Sequence, residues 1–353
     1  MAVNDYAIVV GINNYPHPTL KSLEGPENDA NAFYEWLVSA DGGDVPPENI
    51  KLMLSSQFPD RQPNVSDINN VIEMELMDMD YEDLLDCAQG IGRKGRRLYL
   101  FFAGHGLTPR GMTRGMDEIA LLTSDASMLG TGNHISGKHY GGWFWDAALF
   151  EEVVLLMDCC RDVYSEAQLN IQPWEIVACD KESLGVHSFY AFSTQFSQPA
   201  NEGEINGEIR GYFSAALTDG LKYAIDEQGQ VTAKSLKNYI FNRMKDMRSD
   251  EEYQEADITI YPSSASGEEI VFCEPGILMA PVAINFKSEH LGCEVIILDG
   301  QDVKKIVERV ELTNEIWHVH LPIGKKYFIA QVNNILNGKS IDVMTVREYH
   351  VDF

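Results

Sequence analysis

His105 and Cys160 are the residues whose types and setting could do covalent chemistry together. A thiolate attacks a carbonyl carbon, and a neighbouring imidazole both lowers the thiol pKa and returns a proton to the departing amine. Each residue follows a near-continuous apolar run. Residues 98–103 (LYLFFA) lead into Gly104-His105-Gly106, and residues 153–157 (VVLLM) lead into Asp158-Cys159-Cys160-Arg161. The glycines beside His105 permit a tight turn and leave the ring unobstructed. Side chains alternate along a strand, so only one of Cys159 and Cys160 can meet the imidazole. A lone buried cysteine is more often an inert small hydrophobe, which is the reading for Cys179, Cys273 and Cys293.

Short apolar runs bounded by a change of polarity mark strands buried on both faces of a parallel sheet, and ligands collect at the carboxyl ends of such strands. If the His and Cys strands are parallel neighbours, both side chains emerge at one sheet edge. Residues 6–12 and 50–54 read as further strands, and a helix starts near Pro26 with Ala30, Phe33, Trp36 and Leu37 at helical spacing. Ser66-Asp67 is expected to cap a long helix reaching about residue 90. Arg93 to Arg97 read as a solvated turn before the His strand. Residues 107–116 read as a Gly-rich loop, 118–122 as a short strand, and 137–150 as an aromatic helix packing Trp143, Phe144 and Trp145. Residues 163–186 read as irregular and 193–211 as a polar loop after a strand at 188–192. Helices at 212–224 and 232–247 and a strand at 258–261 complete the series.

Strand and helix patterns alternate through about residue 272, which predicts an α/β protein with a doubly wound, mostly parallel sheet flanked by helices. From Pro275 onward, short β-branched runs separated by turn residues predict a small all-β, immunoglobulin-like domain. The expected division is 1–272 and 275–353. His318 and His320 form H-x-H on a predicted strand with no third ligand nearby, so they read as surface residues.

A net charge of −27 argues against nucleic acid or an anionic membrane surface as partner and is compatible with a basic peptide. The six cysteines show no CxxC spacing, which points to reduced thiols in a cytoplasmic protein. The first residues lack a basic n-region and a small-residue cleavage site, so no signal peptide is expected. No apolar run approaches the roughly 18 residues that a membrane helix needs.

The stretches AIVVGINNY, LEGPENDA, FFAGHG, LLMDCCRD, SFYAFSTQFSQPANE and GYFSAALTDGL, in that order, resemble the caspase and metacaspase group (clan CD) of cysteine peptidases over residues 5–265. The His lying about 50 residues upstream of the Cys fits the same group. The resemblance implies a caspase-like fold and a Cys-His dyad. His105 matches the catalytic histidine, Cys160 of the D-x-C pattern matches the nucleophile, and Cys159 falls on the variable position. The backbone N–H groups of Cys160 and Gly106 are the natural oxyanion donors, since Gly106 allows close approach.

The resemblance further implies that Asp158 and Asp29 line an acidic S1 pocket. Two fixed carboxylates in a partly dry pocket favour a P1 Arg or Lys that can bond both. Without the resemblance, Asp158 would read as a strand-end cap and Asp29 as a first-turn acid favoured by the helix dipole. Three features depart from the pattern. Arg161-Asp162-Val163 stand where metacaspases continue H-S-G, Arg161 fits the caspase Q-A-C-R-G pattern without its closing Gly, and Ala103 stands where Ser is common. MDEIALLTSDA resembles the acidic segment near calcium-binding positions in some metacaspases, which makes Asp117, Glu118 and Asp125 sparse calcium candidates. No other cofactor is expected. Lys181 is a candidate maturation site, set against an uncut single chain.

The expected function is a cysteine endopeptidase cleaving protein or peptide substrates after Arg or Lys. By family analogy alone, it would serve a prokaryotic defence or cell-death pathway. The β domain would bind a target, a regulatory protein or a second copy of the chain. Two alternatives stand beside it: a catalytically silent caspase-like binding module, and a peptidase with a different P1 preference, Asp or apolar.

Overall fold

The apolar runs become strands of one sheet because each can bury both of its faces. The computed structural model describes all residues except 1, 111–117, 128–131, 162, 175–184, 196–199, 206, 248–253, 263–268, 301 and 303. In chain order to residue 261, the elements are β1 (Asp5–Gly11), α1 (Pro26–Val38), β2 (Ile50–Leu54), α2 (Val65–Leu76), α3 (Tyr81–Ala88), β3 (Gly95–Ala103), β4 (Gly106–Arg110), β5 (Ala120–Leu122), β6 (His134–Ser136), α4 (Gly137–Ala147), β7 (Phe150–Asp158), β8 (Val163–Gln168), β9 (His187–Phe192), β10 (Glu202–Ile205), β11 (Glu208–Gly211), α5 (Tyr212–Tyr223), β12 (Val231–Thr232), α6 (Ala233–Met247) and β13 (Asp257–Tyr261).

The central sheet runs β13-β9-β7-β3-β1-β2. Its first five strands in sequence pair in parallel, and β13 closes one edge antiparallel to β9. The fold class is the expected mixed α/β architecture. Leu98 through Ala103 and Val153 through Met157 are buried along their whole length, which explains the unbroken apolar runs. Burying each large apolar side chain contributes about 1.5–3 kcal/mol. Phe33 on α1 stacks on Phe101 of β3 at 4.9 Å between centroids, which ties the helix to the sheet. Trp143 and Phe144 are buried and Trp145 partly so, in the core role expected for them.

Several local expectations are corrected. The long helix at 66–90 is two helices, with Asp80 as the N-cap of α3. The cap of α2 is Asn64, which accepts from the Asp67 backbone N–H while the Asp67 carboxylate accepts from Asn64 N–H, so both orphan donors are satisfied. Arg96 and Arg97 lie inside β3, not in a solvated turn. Arg97 is buried, and its guanidinium stays charged there because it is paired with Glu152 and donates to the Tyr99 hydroxyl. Residues 163–168 form a strand, β8, paired in parallel with β4. The polar stretch 193–211 holds the hairpin β10–β11, whose strands are too short and polar to show as alternation.

The chain divides into two compact units, Met1–Thr218 with Ile240–Ile270, and Asp219–Tyr239 with Val271–Phe353. In the second unit, β12 pairs with β14 (Val271–Cys273). Seven further strands follow: β15 (Met279–Asn285), β16 (Glu294–Asp299), β17 (Ile306–Glu311), β18 (Ile316–Pro322), β19 (Lys325–Gln331), β20 (Asn334–Val343) and β21 (Tyr349–Asp352). They form a three-stranded sheet, β18-β15-β21, and a four-stranded antiparallel sheet, β17-β16-β19-β20. The β15–β21 pairing is parallel. Along β18, Val319 and Leu321 are buried while His318 and His320 are exposed, the alternation of a half-buried strand. No helix among the described residues is long and apolar enough to cross a membrane.

Candidate active site

The sheet register brings the two chemical residues to one edge. Gly11 of β1, Ala103 of β3 and Asp158 of β7 form one row across three strands. The chain therefore leaves β3 through Gly104 and His105 at the level where it leaves β7 through Cys159 and Cys160. Gly104 N–H donates to the Asp158 carbonyl at 3.2 Å, stitching the two exits together. A cleft of about 110 Å³ opens there, with His105, Cys160, Asp29, Asp158, Ala200 and Glu202 among its walls.

His105 is held at both its backbone and its ring. Its N–H donates to the buried Tyr15 hydroxyl at 2.9 Å, and that hydroxyl donates to the Leu122 carbonyl at 3.1 Å. Burial pushes the Tyr15 phenol pKa up, so it serves as a neutral relay between two strand ends. The imidazole Nε2 lies 2.6 Å from the Lys21 carbonyl oxygen. A carbonyl can only accept, so Nε2 carries the proton and Nδ1 remains the basic nitrogen. Lys21 belongs to the loop after β1, fixed by the Leu23 N–H to Asn13 carbonyl bond at 2.9 Å.

The two cysteines have different surroundings. Cys159 is 1% exposed, and burial, with the charges of Cys160 and Asp158, drives its thiol well above the ordinary pKa. It is a core thiol. Cys160 is half-buried and faces the cleft. The Ala200 N–H donates to its Sγ at 3.2 Å, and the thiol reaches the Ala200 carbonyl oxygen at 3.7 Å. Gly106 packs directly under this turn. A Cβ there would lie 2.6 Å from Cys159 Cβ and 2.6 Å from the Cys160 carbonyl oxygen, so only glycine fits. Arg161 is also buried, donating to the Thr194 carbonyl at 3.1 Å and Asp257 Oδ2 at 2.8 Å. It anchors the Cys159–Cys160 turn to the edge strand β13.

Asp29 and Asp158 face the same cleft, at 2% and 7% exposure. Burial raises the Asp29 pKa to about 7, helped by the Asp158 charge and opposed by Arg210 and the Gly211 N–H. Burial also raises Asp158, against bonds from Ser214 and Ser193. Arg210 Nε donates to Asp29 Oδ1, Gly211 N–H donates to Asp29 Oδ2 at 2.9 Å, and Ser214 N–H donates to Asp158 Oδ2 at 3.0 Å. Arg210 carried no signal in the sequence, lying in a short polar hairpin. Lys21 was also invisible, because it acts through its carbonyl. Tyr15 did stand in the motif AIVVGINNY, but only the fold reveals what it holds.

Two of the three calcium candidates, Glu118 and Asp125, lie among the described residues. Glu118 is buried and takes the Ile119 and Lys138 N–H groups and the His139 ring, whereas Asp125 bonds Thr123 and Asn133. Asp117, Cys179 and Lys181 lie outside the described residues. Among the described residues, no group of three His, Cys, Asp or Glu side chains could hold a metal ion.

The sequence pattern described as Caspase domain, peptidase family C14, matches residues 4–266. A probable protease from a Desulfuromonadales bacterium is 28% identical over 222 residues, covering 62% of this chain and 26% of its own length. The chain thus spans about a quarter of that curated relative. Among solved structures, caspase-1 from Spodoptera frugiperda is 14% identical with a TM-score of 0.43, over 73% of this chain and 86% of that one. A Geobacter sulfurreducens protein is 13% identical with a TM-score of 0.46, over 74% of this chain and 96% of that one.

Proposed function

The chain belongs to the caspase-domain peptidase family, and on that premise we propose that it is a cysteine endopeptidase acting through Cys160 and His105. The observation that carries this reading is the shared cleft, with the basic imidazole nitrogen left available by the Lys21 carbonyl. Cys160 gives its proton to His105 Nδ1, and the thiolate attacks the scissile carbonyl carbon. The oxyanion is held by the backbone N–H groups of Gly106 and Cys160. Losing one such donor costs about 2.7–4 kcal/mol of transition-state stabilisation. As the C–N bond breaks, His105 returns the proton to the leaving amine. Water, deprotonated by the same imidazole, then cleaves the thioester and restores the thiol.

The acidic walls at Asp29 and Asp158 support a basic P1 residue. A panel of fluorogenic peptides with P1 Arg, Lys, Asp and Leu, with and without calcium, tests both levels. Cleavage after Arg or Lys that vanishes in Cys160→Ala and His105→Ala and collapses in Asp158→Ala is the expected result. Activity surviving Cys160→Ala would sink the mechanism. A second reading, a neutral P1, is favoured by one observation: both Asp29 oxygens already have partners. Cleavage after Leu with none after Arg or Lys would install it.

A further inference from the structure

The acidic pair is not empty of positive charge, because the chain supplies a cation of its own. We propose that Arg210 is a specificity-determining residue whose guanidinium competes with a basic P1 side chain for the Asp29–Asp158 pocket. The proposal rests on the basic-pocket reading above and adds what regulates that pocket.

Four observations carry it. Arg210 Nε donates to Asp29 Oδ1 and its Nη2 lies 3.4 Å from Thr218 Oγ1, with its side chain only 12% exposed. The next residue wedges between the two acids. A Cβ on Gly211 would sit 2.2 Å from Asp158 Oδ2 and 3.1 Å from Asp29 Oδ2, so the Arg210-Gly211 backbone is pressed against both carboxylates. Every oxygen of Asp29 and one of Asp158 is thereby engaged from within the chain. Finally, the element carrying Arg210 is a two-stranded hairpin of four residues a side, β10–β11. Such a hairpin is marginal alone. It is docked on the start of α1 by the Gly25 N–H to Glu202 Oε2 bond at 3.0 Å and the Asn28 Nδ2 to Ile209 carbonyl bond at 2.9 Å.

The consequence follows from like-charge repulsion in a poorly solvated site. A second guanidinium or ammonium entering beside Arg210 meets a positive charge that water cannot screen well. A basic P1 side chain must displace Arg210 or bind weakly, whereas a neutral P1 side chain meets no such competitor. Arg210 therefore sets the ratio between the two.

The test compares the full-length wild type with Arg210→Gln, which keeps hydrogen-bond donors but drops the charge. The readout is the ratio of kcat/KM for P1-Arg over P1-Leu peptides. The same pair of peptides is titrated calorimetrically into both proteins carrying Cys160→Ala, so that binding is read without turnover. The ratio should rise about tenfold or more in Arg210→Gln, the equivalent of one charge-assisted bond. A general loss of structure would move both peptides together, not their ratio. An unchanged or lower ratio, with the wild type still preferring Arg, would overturn this proposal and leave the basic-pocket reading standing. Failure of every protein to bind or cleave a basic P1 peptide, while Leu is accepted, would overturn both. A second measurement needs no variant: deuterium uptake over residues 202–211 should rise when wild type binds the P1-Arg peptide. Uptake that stays level or falls would mean the two cations coexist, against the proposal.

Discussion

Replacing Gly106 with alanine should disarm Cys160 while leaving both members of the proposed dyad chemically intact. The added Cβ would meet Cys159 Cβ at 2.6 Å, the Cys160 carbonyl oxygen at 2.6 Å and Cys159 Sγ at 2.8 Å. Carbon contacts are comfortable at about 3.5–4.0 Å, so the Cys159–Cys160 turn must retreat by about 1 Å. None of the three atoms is the free end of a flexible chain. One is backbone, and Cys159 is wedged in the core at 1% exposure. Overpacking of this kind costs about 1–3 kcal/mol of stability, and a misplacement near 1 Å slows a positioned reaction about 10²-fold. The assay pairs peptide turnover with the rate at which iodoacetamide labels Cys160, followed by mass spectrometry, and with a thermal melt. Turnover should fall about a hundredfold with a Tm lower by several degrees. A Gly106→Ala protein that turns over and melts like the wild type would refute the claim that this contact sets the position of Cys160.

Three other perturbations probe the supports of the site. Tyr15→Phe orphans the His105 N–H and the Leu122 carbonyl together, so chemical denaturation should show a loss of about 1–3 kcal/mol, accompanied by lower turnover. Arg161→Leu removes the donor to the Thr194 carbonyl and frees Asp257 to water. Stability should fall by about 1–3 kcal/mol and Cys160 labelling should change, whereas a neutral result would remove Arg161 from the account. Asp29 makes stability depend on pH with a definite sign. Its folded pKa, near 7, lies above its ordinary 3.8, so the native state binds the extra proton between those values. Its contribution is fully present below about 3.8 and is lost as pH rises through about 7. The wild-type Tm should therefore lose ground to that of Asp29→Asn between pH 5 and pH 8, and a pH-independent gap would count against the raised pKa.

The central fold was legible because parallel strands buried on both faces must be apolar throughout, and LYLFFA and VVLLM are. Their shared edge followed from the same fact, since each run ends abruptly at polar residues of the types that can do chemistry. What escaped was whatever depends on backbone atoms or on short polar pieces. The Lys21 carbonyl has no residue-type signature. EGEI and EIRG form a hairpin through pairing with each other, not through burial, so nothing in their pattern announces β10 or β11. The break between α2 and α3 lacks Gly and Pro, and its only local cue was Asp80 as a cap. Arg97 misled for the opposite reason. Charge alone suggested solvent, while its partners Glu152 and Tyr99 lie one strand across and two residues on.

The path of the chain between its two compact units bears on how it is made. The boundary is crossed at 218/219, 239/240 and 270/271. During synthesis, residues 219–239 emerge well before the strands with which they group. Val231 and Thr232, buried in the finished protein and paired with Cys273 and Val271 of β14, must wait for that strand. At about 5–20 residues per second, translation leaves them waiting for seconds. Ending translation after residue 270 would leave β12 without the strand it pairs with. A shortened chain would need residues 219–239 resurfaced, because they group with the strands that follow residue 270.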